Sequence, residues 1–240
     1  MVNYAIHPLD CAHERVVRAG EHLGCLEIEI ARVFERQANG VTFQLDPIPP
    51  HYAINVRPPQ ETFFGMRIGI LVGEICYNLR SALDYLIFEL ANLDSGAPQD
   101  GTQFPITDAK KKFDGYGRTT HLKGVNDTHV AAIEDLQPYN GCQWTKQLQG
   151  ISNPDKHRHF AVSGGQTRIT VHSGLASDLT LIRGMAFTRH ASHPLTSVKV
   201  DVKVHIAGSV MFDDGSPILE TLQEIKCGVA GCLSYFRPEF

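Results

Sequence analysis

What this chain lacks narrows its function before any motif is read. It has no basic surplus: 22 lysines and arginines stand against 26 aspartates and glutamates, a formal net charge of −4. Proteins that coat nucleic acid draw much of their affinity from neutralising phosphates, and usually carry such a surplus. A local patch remains open, with Lys110–Lys112, Arg118 and Lys123 as the densest cluster and a solvated loop as its ordinary explanation. No stretch reaches the roughly 18 uninterrupted apolar residues of a membrane span. The closest, residues 68–91, is broken by Glu74, Asn78, Arg80, Asp84 and Glu89. No basic start followed by an apolar run opens the chain, so no signal peptide is expected and a reducing cytoplasm is the default compartment.

Cysteine is scarce in pattern rather than number. Cys11, Cys25, Cys76, Cys142, Cys227 and Cys232 include no CxxC pair, and Cys25, Cys76 and Cys227 fall in apolar helical segments, where a thiol behaves as a small hydrophobe. A chain of 240 residues buries a full core without disulfide or metal staples. The nucleotide-binding GxGxxG and Walker loops, the HExxH zinc helix and the GxSxG elbow are all missing. Cys227 and Cys232 lie five apart, the wrong spacing to share a helix face at a zinc ion. His157 with His159 and His190 with His193 are metal-compatible pairs lacking further ligands at a recognised spacing. No metal and no cofactor are therefore expected.

What is present is an average globular composition, 42% hydrophobic and 20% charged. Val16, Leu23, Leu26, Ile30 and Val33 recur at helical spacing, predicting a helix over 9–37 that ends at Asn39-Gly40. Two β-type runs, Val41–Leu45 and Tyr52–Val56, flank a proline-rich connection. The second helix, predicted over 64–93, places Ile68, Leu71, Val72, Ile75, Leu79, Leu83, Leu86 and Leu90 on one stripe. Glu74, Asn78, Ser81 and Tyr85 lie beyond one edge of that stripe, Arg80 and Asp84 beyond the other. Residues 94–125 read as irregular, for their glycines and prolines. Short helices follow at 128–136 and 145–151. Strands are expected at 166–171, 179–187 and 198–206, the last a strict alternation of Val198, Val200, Val202, Val204 and Ile206 with polar residues. A helix over 218–235 closes the chain. The expectation is one α+β domain over 1–240, with a core of two long helices in the first two thirds and an antiparallel sheet with a closing helix in the last.

Two segments concentrate polar groups. In Gly73–Asp84, polar side chains on a helix between others need partners, and Arg80 and Asp84 at i, i+4 can bond each other. The plain alternative is an exposed stripe with one ion pair. In Asn153–His159, His157 offers a general acid or base, with Lys156 and Arg158 as an anion clamp and Asp155 beside them. A charged turn with Asp155 at a helix N-terminus explains the same residues.

LRSALDYLIFEL, TQFPI, IEDLQPY and NPDKHR together resemble a set of uncharacterised bacterial proteins sharing these four segments, over roughly residues 65–160. That resemblance implies kinship without an activity. Arg80, followed after four residues by an aromatic position, is similar to the arginine–x4–histidine motif of HEPN-type helical ribonucleases. The resemblance implies that the arginine binds the scissile phosphate and the histidine assists the 2′-hydroxyl. Tyr85 stands where that histidine belongs, and a phenol with a reference pKa of about 10 is a poor base at neutral pH. His157 would have to substitute.

Two functions follow. In one, a HEPN-like, metal-independent protein acts on RNA or a phosphorylated small molecule. Arg80 binds phosphate, His157 is the acid/base, Asp84 and Asp155 orient the cations, Arg158 and Lys156 clamp the anion, and Glu74, Asn78 and Tyr85 line the site. In the other, a non-catalytic binding or assembly module uses the same charges as an internal ion-pair network. The sequence leaves open whether the protein is an enzyme. A homodimer is among the expected assemblies, and no membrane partner is.

Overall fold

The computed structural model describes the backbone of residues 7–39, 42–48, 51–57, 66–155, 163–164, 168–173, 177–181, 187–190, 202–207 and 209–240, and the side chains of 7–36, 66–152 and 209–240. The chain divides into two compact units: Met1–Leu26 with Arg67–Phe160 and Ile218–Phe240, and Glu27–Met66 with Ala161–Pro217.

The first unit is built from helices. In α1 (Asp10–Asn39), Ala12, Val16, Ala19, Leu23 and Leu26 repeat every three or four residues and are all buried. In α2 (Met66–Ser95) the eight residues of the predicted apolar stripe are buried, joined by Cys76, Ala82, Ile87 and Ala91. The helix stops where Gly96, at φ 72°, takes the left-handed conformation and returns its N–H to the Asn92 carbonyl at 3.0 Å. Then come α3 (Lys110–Lys112), a π-helical turn over Phe113–His121, and α4 (Asp127–Asp135). The Asn126 side chain caps α4 by accepting the His129 N–H. The chain then runs through a 3₁₀ turn at Pro138–Asn140 into α5 (Gln143–Asp155). Finally α6 (Ile218–Phe236) returns Leu222, Ile225, Val229, Leu233 and Phe236 to the core.

Residues 110–121, expected to be irregular, are therefore helical. Glycine marks a kink rather than an open loop: Gly115 takes a non-helical step, at ψ −112°, and helical turns lie on either side of it.

The α+β expectation is corrected. Where side chains are placed, 76% of residues are helical, one short strand is present and no sheet is, so the antiparallel sheet of the last third is not supported. The strands belong to the second unit and, β8 apart, are described as backbone alone. These are β1 (Thr42–Ile48), β2 (His51–Arg57), β3 (Ser163–Gly164), β4 (Arg168–Ser173), β5 (Ser177–Leu181), β6 (Phe187–His190), β7 (Val202–Ala207) and β8 (Val210–Met211), in separate ladders of two or three. The longest pairs β1 with β2, from Thr42 opposite Arg57 to Ile48 opposite His51. Alternating apolar residues mark a segment as extended, but a period of two names no partner strand. The side-chain alternation expected over 198–206 lies outside the described side chains. Among the described residues, no helix is long and apolar enough to cross a membrane.

Candidate functional site

The two edges of the α2 stripe lead to different places. On one edge, Arg80 and Asp84 face the loop 102–107. The Arg80 Nη2 donates to the Phe104 carbonyl at 2.6 Å, and the Phe104 N–H donates to Asp84 Oδ1 at 2.9 Å. Both main-chain polar groups of one residue are thus taken by side chains one helical turn apart. The Phe104 ring is fully buried. Burial presses the Arg80 pKa down and the Asp84 carboxylate opposes that shift; the guanidinium keeps its charge throughout.

The rest of the loop is held the same way. The Gln103 N–H donates to the His121 carbonyl at 3.1 Å. The buried Gln137 amide donates to the Pro105 carbonyl at 2.9 Å and accepts the Thr107 N–H at 3.0 Å. Gln149 of α5 donates to the Ile106 carbonyl at 2.8 Å. The loop 102–107 is therefore bonded on one side to Arg80 and Asp84 of α2 and on the other to Gln137.

On the other edge, Glu74, Asn78 and Tyr85 face α1. Asn78 is buried, donates to the Glu74 carbonyl at 2.8 Å and accepts from Arg15 Nη1 at 3.2 Å. The Arg15 guanidinium lies 5.9 Å from the ring centres of both Tyr77 and Tyr85. Glu74 Oε2 is 3.2 Å from His22 Nδ1. Asp10, Cys11, Glu14, Arg15, Arg18, Asn78 and Tyr85 line an open groove of about 520 Å³. Its rim carries both charge signs.

The predicted site residues thus fall into separate groups. Arg80 and Asp84 are together at the loop, whereas Glu74, Asn78 and Tyr85 are together at α1. Asp155 is the last residue of α5, with only its backbone described, and Lys156, His157 and Arg158 lie outside the described residues, as does any meeting of that turn with α2. Three members of the basic cluster pair with carboxylates: Lys110 binds Glu134 and Asp114, Lys112 binds Asp108 at 2.6 Å, and Arg118 binds Asp127 at 2.6 Å. Among the described residues, no group of three or more histidines, cysteines and carboxylates could hold a metal.

Sequence reasoning missed His121. It ends the π turn, its edge meets Tyr116 with ring centres 4.7 Å apart, and its Nδ1 is buried without a partner. Desolvation lowers its pKa, the Arg80 charge adds to that, and Asp84 opposes both. It also missed Arg15, which reaches Asn78 and the rings of Tyr77 and Tyr85. No known protein family matches this chain, and no curated protein or solved structure matches it either.

Proposed function

We propose that the protein is a non-catalytic binding and assembly module in which the charges of the α2 motif hold the fold together. The observation that carries this reading is the Phe104 clamp. An arginine committed at 2.6 Å to a main-chain carbonyl, and mostly withdrawn from water, is poorly placed to receive a scissile phosphate. The pairing of Lys110, Lys112 and Arg118 with carboxylates and the acidic net charge favour a protein or small-ligand partner over RNA. Among the described residues, the groove between α1 and α2 is a surface open to a partner. A cytoplasmic setting belongs to the same proposal, with exposed thiols at Cys11, Cys25 and Cys227 suited to a reducing compartment.

The test pairs an activity with a stability. Purified protein is incubated with a fluorophore-quenched single-stranded RNA without metal, and Arg80→Met is melted beside the wild type. The module reading expects no cleavage by either protein and a clear loss of stability in the variant. Cleavage by the wild type, abolished in Arg80→Met at an unchanged melting temperature, would overturn it.

One observation favours the HEPN-like reading as a second possibility. His121, with its unpartnered Nδ1, lies within the field of Arg80 and Asp84 and supplies the base that Tyr85 cannot. On that reading His121→Ala removes cleavage and leaves folding intact.

A further inference from the structure

Arg15 is held differently from the surface arginines. Arg18, Arg32, Arg36, Arg118 and Arg237 each pair with a carboxylate, at 2.6 to 3.4 Å. Arg15 pairs with none among the described residues. Its guanidinium lies 5.9 Å from the centres of the Tyr77 and Tyr85 rings, and its Nη1 donates to Asn78 Oδ1 at 3.2 Å. Asn78 is itself buried and fixed by the bond it donates to the Glu74 carbonyl at 2.8 Å. One of the five N–H donors of Arg15 is thereby used, and the described residues engage no other. A guanidinium stacked and oriented in this way has already lost much of the side-chain freedom that binding an anion would cost.

The groove that Arg15 lines also supplies an opposite charge. Of its four charged residues, two are engaged elsewhere: Arg18 with Glu21 at 2.6 Å and Asp10 with Arg237 at 3.2 Å. Glu14 is exposed and, like Arg15, has no ion-pair partner among the described residues. Successive residues of a helix do not face each other, so Glu14 and Arg15 diverge by 100° around α1, with Cys11 and Arg18 between them. Two open charges of opposite sign therefore bracket the groove. On a helix about 10–12 Å across, that angle separates them by roughly 8–9 Å.

A matching ligand carries a carboxylate for Arg15 and an ammonium for Glu14. The carboxylate takes a guanidinium fork on two parallel hydrogen bonds, and a polyphosphate in the same place would meet Asp10 and Glu14 as like charges. The separation excludes an amino acid, whose two charges flank a single carbon. At about 3.3–3.6 Å per residue, an extended chain of two or three residues spans it. The Tyr85 ring, 40% exposed at the groove, offers such a chain an apolar surface between its ends.

We infer that the groove between α1 and α2 binds a free peptide of two or three residues, its terminal carboxylate on Arg15 and its terminal ammonium on Glu14. This rests on reading the protein as a binding module, and names its ligand class. The experiment is calorimetric titration of the full chain with trialanine and with alanyl-phenylalanyl-alanine. At least one is expected to bind, and its N-acetyl form, its C-terminal amide and free alanine each to bind about tenfold more weakly or worse. Arg15→Lys keeps the charge but loses the fork, and should weaken binding about tenfold with an unchanged circular dichroism spectrum. Bound peptide should also slow alkylation of Cys11, which lies between the two charges, and leave the exposed Cys25 and Cys227 as reactive as before. No binding of either tripeptide at millimolar concentration overturns the inference. So does equal binding of the blocked forms or of alanine, an Arg15→Lys protein that binds like wild type, or unchanged Cys11 reactivity at saturation. The blocked peptides and the thiol readout use wild type alone, so they decide the matter even where a variant misfolds. The RNA assay decides the module reading separately, because cleavage has no bearing on peptide binding.

Discussion

The Trp144 indole lies directly on Gly228. A β-carbon built on that glycine would fall 2.4 Å from the indole Cγ and 2.5 Å from Cδ2, so α5 and α6 approach each other through a contact that only hydrogen fits. Replacing a helical glycine with alanine ordinarily stabilises by roughly 0.5–1 kcal/mol. Here the added methyl meets a rigid ring rather than the end of a flexible chain. Gly228→Ala is expected to lose about 1–3 kcal/mol, the usual cost of overpacking. Chemical denaturation measures it, and a stabilised variant contradicts the close approach.

Asp84→Ala strips the Phe104 N–H of its acceptor inside the protein. The loss should be about 1–3 kcal/mol, that of a hydrogen-bonding group left unsatisfied on burial. Adding Arg80→Met should cost less than the two changes measured singly, because both side chains hold the same residue. Strict additivity in the four-member cycle would show that they act independently.

His121 gives a pH signature. Its pKa is depressed in the folded chain, chiefly by desolvation and next by Arg80, so the unfolded chain binds the proton more readily. Stability should therefore rise with pH between the depressed folded value and the ordinary histidine value of about 6.5, and fall as acid protonates the unfolded chain. His121→Gln should lose less stability than wild type between neutral pH and mild acid. Parallel melting-temperature profiles for the two proteins would remove His121 from the network.

Thiol reactivity should divide the cysteines. Burial pushes the Cys232 pKa up to about 12, and the nearby Cys142 adds to the shift, so its thiolate is nearly absent at neutral pH. Brief alkylation of native protein, read by peptide mass spectrometry, should mark the exposed Cys11, Cys25 and Cys227 and spare Cys76 and Cys232. Rapid labelling of Cys232 would mean that α6 opens readily.

The long helices were legible because their apolar stripes are wide and regular: Leu71, Ile75, Leu79 and Leu86 announce a buried face before any partner is known. Arg80 and Asp84 were legible as a charged flank, but their partner was not. They bind the main chain of Phe104, and a carbonyl or an amide N–H looks the same in every residue that carries one. Gln137 illustrates the same limit, since its side chain bonds Pro105 and Thr107 through the backbone. His121 was hidden for another reason. Gly115 and Gly117 read as helix breakers, and Gly115 does kink the chain, but helical turns flank the kink and carry the ring at their end. The sheet was over-read from alternation alone, which fixes the faces of a strand but supplies no neighbour.

Because Arg80 and Asp84 grip the main chain rather than a side chain, they constrain residue 104 in an unusual way. Their two hydrogen bonds are indifferent to which side chain projects there, and only the enclosed space around the ring selects for phenylalanine. Methionine or leucine at this position would keep the grip and lose packing alone. Proline would lose the bond to Asp84 outright, having no N–H to give. The next residue already is proline, and the loop offers its carbonyl alone to Gln137. Sliding the 102–107 loop along α2 by one residue would set Pro105, which has no N–H, against Asp84 and lose that bond.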